Sequence, residues 1–151
     1  MMLVLISFFD LLKLRIPNLA ILVLLGAFPF YGLWAGLSAV DFLIHFAVAF
    51  ACFFAFAVLF YCHIMGGGDV KLIAAIALWL GFPHVFPFLL ATALAGGGLA
   101  VFSLLFRIAP DYWLSPFPFL ARLKKRWRHI PYGIAISIGG ILTFYKITIA
   151  S

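Results

Sequence analysis

The chain has no glutamate; its only acidic residues are four aspartates, Asp10, Asp41, Asp69 and Asp111. That absence removes the HExxH zinc-hydrolase site, whose general base is a glutamate. Charge of any sign is scarce: 9% of the 151 residues are charged and 68% are hydrophobic. A soluble domain is about 25% charged, so this chain has too little polar surface to cover a water-soluble globule. The two cysteines, Cys52 and Cys62, form no CxxC pair and lie in or beside apolar runs. This argues against a disulfide framework and a cysteine zinc site. Ser7, Ser38, Ser103, Ser115 and Ser137 are scattered, and none sits in a GxSxG elbow. His45, His63, His84 and His129 are equally dispersed. No GxxxxGKS/T phosphate loop is present, and no internal repeat is visible. No metal or cofactor is expected.

What remains is apolar sequence in long runs. A spanning helix needs about 20 apolar residues to cross a core of about 30 Å. The runs predict an all-α, polytopic transmembrane helical bundle, a single domain over residues 1–151, with about six membrane segments. These are 1–14, 19–37, 42–61, 70–82, 85–109 and 132–150. The first is short: a helix of about 14 residues rises about 21 Å. Only nine residues precede Asp10, which leaves a truncated first segment or an upstream start as the two readings. Residues 110–131, PDYWLSPFPFLARLKKRWRHIP, form the longest polar connection.

The cations set an orientation, because cytoplasmic loops collect Lys and Arg. If the first segment runs from outside to inside, Lys13, Arg15, Lys71, Arg107, Arg122, Lys124, Lys125, Arg126 and Arg128 all fall on the cytoplasmic side, and only Lys146 falls outside. Residues 110–131 then form a basic cytoplasmic loop. Its cluster, with Trp127 inside it, reads as an anchor on anionic lipid rather than as a nucleic-acid surface. The same orientation puts Asp10 and Asp69 at one depth, at the cytoplasmic ends of their segments. Asp41 falls outside, and Asp111 in the basic loop.

The stretch HIMGGGDVKL, residues 63–72, interrupts the apolar pattern. Glycine permits positive φ and close backbone approach, so Gly66-Gly67-Gly68 reads as a sharply bending loop. Asp69 fits two readings. It can serve the first turn of the next helix as a cap and dipole partner. It can also pair with Asp10. Two carboxyl groups in hydrogen-bond range share a proton, so that one draws a proton from water while the other donates to a peptide carbonyl. Asp10 has its own plain reading, a pair with Lys13 at i, i+3. His63 reads as an interfacial histidine or as a group that tunes Asp69. A second triplet, Gly96-Gly97-Gly98, lies in an apolar run and predicts a close helix contact.

Three stretches resemble the type IV prepilin peptidases, the leader peptidases of type IV pilins. HIMGGGDVKLIAAIALWLG is similar to their GxGD region; DLLKLRIPN, residues 10–18, to the first-aspartate motif; and IPYGIAISIGG, residues 130–140, to the last helix. The resemblance implies a six-segment GxGD-type membrane aspartic protease of the bacterial inner membrane, with Asp10 and Asp69 catalytic. It implies cleavage of a basic prepilin leader at the cytoplasmic face. It also implies a substrate-binding role for Gly66, Gly67 and Gly68, which would let the leader backbone approach Asp69. Lys71 would steady an ionised Asp69 or contact headgroups. Prepilin and membrane lipid are the expected partners. Larger members carry paired CxxC motifs and methylate the new pilin terminus; their absence here does not support methylation. The chain looks like the short stand-alone members tied to Flp/Tad pili. A proton-coupled transporter component and a catalytically inactive assembly homologue are the competing readings. The sequence leaves the oligomeric state open.

Overall fold

In the computed structural model, residues 18–108 and 132–150 are described. The segment 1–14 with Asp10, and the basic loop 110–131 with Asp111, lie outside them. The described chain is helical: α1 is Asn18–Trp34, α2 Ala39–Tyr61, α3 Gly67–Ile108 and α4 Tyr132–Ala150. Three of the four, α2, α3 and α4, are long and apolar enough to cross a membrane, and α1 is a shorter apolar helix of 17 residues. The chain is an all-α membrane bundle.

Breaks and caps decide where each helix ends. At the close of α1, Gly36 takes φ 71. Gly36 N–H donates to Leu33 O at 3.3 Å and Leu37 N–H to Gly32 O at 2.9 Å, the paired bonds of a Schellman ending. One residue later Ser38 opens α2 with a capping box. Its hydroxyl takes the Asp41 N–H at 3.2 Å, and Asp41 Oδ2 takes the Ser38 N–H at 3.1 Å. Asp41 is therefore engaged in starting a helix.

α3 spans 42 residues; a continuous helix of that length would rise about 63 Å, twice a hydrocarbon core. Gly81, at φ 64 and ψ −173, divides it, with Pro83 and Pro87 just beyond. That backbone region is open essentially to glycine alone. The sequence placed a turn after Phe82; the chain makes the break at Gly81 within one residue instead.

The stretch 67–80 is the centre of the bundle. Val70 and every residue from Leu72 to Leu78 are buried, as is Leu80. Val48, Cys52 and Phe56 of α2, Leu24 of α1, Phe88 beyond the break and Ile136 of α4 pack on it. The surrounding helices turn Phe54, Leu94 and Leu142 outward. Apolar side chains gain little by leaving lipid for protein, so association rests on close fit and interhelical hydrogen bonds. The fit on the α4 side is tight: a methyl at Gly139 would overlap the Thr92 hydroxyl and lie 2.8 Å from Thr92 N. Of the second glycine triplet, only Gly96 makes the expected contact, with a would-be methyl 3.7 Å from Ala135 Cβ. Gly97 and Gly98 face open space. Thr92 Oγ1 and Ser137 Oγ, buried in this seam, have no hydrogen-bond partner among the described residues.

Glycine positions should therefore differ in tolerance. Gly81→Ala adds a methyl 2.7 Å from the His45 ring at a positive φ, and should cost about 2 kcal/mol or more. Gly97→Ala should be neutral or stabilising by up to about 1 kcal/mol. Unfolding of the purified protein in detergent micelles would compare the two.

Candidate functional site

The cytoplasmic-side expectation centred on Gly66-Gly67-Gly68-Asp69, and the structure gives each of these a definite place. Only Gly66 is outside the helix. Its carbonyl accepts from Asp69 N–H at 3.0 Å and Val70 N–H at 3.3 Å, so Gly66 is the N-cap and Asp69 the third helical residue. The expected glycine loop is thus mostly the first turn of α3, because a glycine cap lets the helix begin three residues before the apolar run.

Two of the glycines have steric reasons. A methyl on Gly66 would stand 3.0 Å from Asp69 Oδ2, so the carboxylate folds back over the cap residue. A methyl on Gly67 would meet the Phe60 ring of α2 at 3.2 Å. Phe60 went unremarked in the sequence; its only signal was a place seven residues before Gly67, across a short turn. Asp69 itself is half-buried, while Lys71 is exposed. Between them Val70 is 3% exposed, so the edge of the protein interior passes through this turn. An anionic side chain in a first turn is stabilising by about 0.3–1 kcal/mol through the helix dipole.

The turn before the site holds a strained residue. His63 has φ 60, the only non-glycine positive φ among the described residues. His63 N–H donates to Phe60 O at 2.9 Å and Ile64 N–H to Leu59 O at 3.0 Å, a second Schellman ending with histidine where glycine is usual. The ring is committed as well: Nδ1 donates to Tyr61 O at 2.8 Å. His63 thus has a backbone role, closing α2 so that the chain reaches Gly66 in three residues. Cys62 beside it is a free, exposed thiol, and Cys52 is free and buried. Among the described residues no group of three metal-ligating side chains forms.

The match with known proteins is at family level. A sequence model of the type IV leader peptidase family matches residues 1–101. The chain belongs to the type IV leader peptidase family. The match takes in both Asp10 and Asp69, three of the four aspartates in all, and the whole approach from α2 through Gly66 into the central helix. No curated protein and no solved structure matches the chain. Membership makes peptide-bond hydrolysis at a membrane the chemistry in question. The structure supplies one half-buried carboxylate at the head of an enclosed helix; Asp10 lies outside the described residues.

The strained ending gives a stability test. His63→Val, which puts a β-branched residue at positive φ, should cost about 1–2 kcal/mol. His63→Gly should leave stability unchanged or raise it. Thermal unfolding of the two variants in detergent measures the difference.

Proposed function

We propose that this chain is an intramembrane aspartic endopeptidase that removes the leader of type IV, Flp-like prepilins at the cytoplasmic face of the bacterial inner membrane, in the service of pilus assembly or secretion. The observation that carries the reading is the family match over residues 1–101, which contains both Asp10 and Asp69. The half-buried position of Asp69 at the end of an apolar helix supports it, and so does the excess of cations on that side of the membrane.

In this reading Asp10 and Asp69 share one proton. The ionised carboxylate takes a proton from a water molecule as its oxygen adds to the scissile carbonyl carbon. The protonated carboxyl gives its proton to the carbonyl oxygen, forming a neutral gem-diol. Collapse of the gem-diol breaks the C–N bond, and the amine leaves with a proton returned through the pair. The two titrations belong to the pair rather than to either aspartate. Gly66 keeps the approach to Asp69 free of side chain, so an extended leader backbone can lie against the first turn while the apolar pilin helix stays in lipid. Lys71, exposed one residue beyond Val70, would meet headgroups or the ionised pair.

The test is co-expression of a Flp-type prepilin with the chain and its variants, read as a leader-sized gel shift. Asp10→Asn and Asp69→Asn should each abolish the shift. Asp41→Asn, in the capping box of α2, should keep it. A shift that persists with Asp69→Asn would exclude the aspartic mechanism. No shift with the parent chain would leave two readings, a truncated enzyme or a non-catalytic homologue. Purified enzyme should also show a bell-shaped kcat/KM against pH. Activity falls on the acid side as both carboxyls become protonated, and on the alkaline side as both ionise.

A further inference from the structure

The end of the central helix opposite Asp69 is held by two side chains that have no part in the chemistry above. His45 of α2 donates from Nδ1 to Leu78 O at 2.6 Å. A carbonyl only accepts, so Nδ1 carries the proton. Trp79 donates from Nε1 to Leu24 O of α1 at 2.9 Å. Both bonds involve the last turn before the Gly81 break: Leu78 offers one of the carbonyls that a helix end leaves to outside donors, and Trp79 reaches from that turn to α1. The His45 ring lies against Gly81, where a methyl would stand 2.7 Å from Cε1. It also lies against Phe28, ring centroids 5.2 Å apart. Phe28, fully buried, contacts Trp79 as well, at 5.8 Å. One aromatic cluster thus joins α1, α2 and the end of the central stretch.

Elsewhere the stretch is apolar: Leu72, Ile73 and Ile76 are buried beside Ala74, Ala75 and Ala77. Such contacts are non-directional, and they set helix spacing more sharply than they set one axial register. Directional bonds at one end do oppose sliding. Residues 69 and 78 lie nine residues apart, about 14 Å along a straight helix. A helix transmits an axial shift at its end to its head, and an aspartate pair tolerates little misplacement.

We infer that His45 is a positioning residue: with Trp79, it fixes the height of residues 67–80 in the bundle, and so the depth at which Asp69 is presented. The catalytic consequence rests on the proposed role of Asp69; the positional one does not. Interhelical bonds of this kind shift an equilibrium by about threefold to tenfold.

Two readouts test it. The first is prepilin cleavage. The second is the rate at which an impermeant maleimide labels Lys71→Cys, in a chain whose Cys52 and Cys62 are replaced by alanine. His45→Phe keeps a ring against Phe28 and removes the donor. His45→Asn keeps a donor near the Nδ1 position. The expected result is that His45→Phe lowers the cleavage rate and alters labelling, each by about threefold to tenfold, while His45→Asn matches the parent in both. Parental labelling in His45→Phe would overturn the inference, whatever the cleavage rate. Equal damage from Phe and Asn would overturn it too, since a retained donor would then fail to preserve the depth. If His45→Phe fails to accumulate, Trp79→Phe removes the other bond and is judged by the same labelling criterion. Cleavage by Asp69→Asn would sink the catalytic reading, and the labelling result would still decide the inference.

Discussion

The architecture depends on enclosing one helix on all sides. Residues 70–80 meet α1, α2, α4 and the chain beyond Gly81, and Leu72, Ile73, Ala75 and Ala77 have no exposed surface. Beyond exposed Lys71, a helix so placed has no face on which a charge can reach water or headgroups, and a charge at its middle would be costly. Its ends are the only places left for ionisable groups. At the head the enclosure fades within a turn, from Val70 at 3% exposure to half-buried Asp69. At the tail, Gly81 ends the helix before another turn is added. The position of the carboxylate thus follows from the enclosure itself.

The two sides of the central stretch are joined differently. Toward α4, Ile136 packs on the central stretch, and α4 is held beyond the Gly81 break by small residues, with Gly139 against Thr92 and Gly96 against Ala135. Toward α1 and α2 it is aromatic and directional, built on Phe28, Trp79 and His45. In lipid neither joint draws on the transfer of apolar surface from water. Van der Waals fit sets the first, while donors and acceptors in register set the second. A small-residue seam fixes how near two helices come. A hydrogen bond to a named carbonyl fixes where along the axis they meet.

The sequence made the helices legible because apolar runs separated by Gly, Pro and Ser are a strong signal. The runs 19–37, 42–61 and 132–150 match α1, α2 and α4 closely. It also marked Asp69, since an acid is conspicuous in so apolar a chain. It did not show that the helix would start at Gly67, because three glycines read as loop on propensity alone. A cap carbonyl and a ring stacked over Gly67 outweighed propensity there. Nor did it separate Gly96 from Gly97 and Gly98, whose difference lies in which face of α3 meets α4. His45 was hidden for a similar reason. Its partner is a backbone carbonyl 33 residues away, and such an acceptor leaves no mark in the side-chain pattern.

The structural and catalytic readings of Asp69 are compatible. A carboxylate has two oxygens with about four acceptor sites, so an oxygen held over Gly66 does not exhaust the group. Under the proposed mechanism, folding back over the cap would favour chemistry, because it removes rotamers that the side chain would otherwise sample. Reacting groups gain most when such freedom is lost before the substrate arrives. Gly66 permits the fold-back, Gly67 lets Phe60 close on the first turn, and His63 delivers the chain to that turn in three residues. Each contribution is structural when taken alone. Acting on one carboxylate at the edge of an enclosed helix, they leave it with few orientations and a fixed depth, which an acid–base pair requires of each of its members.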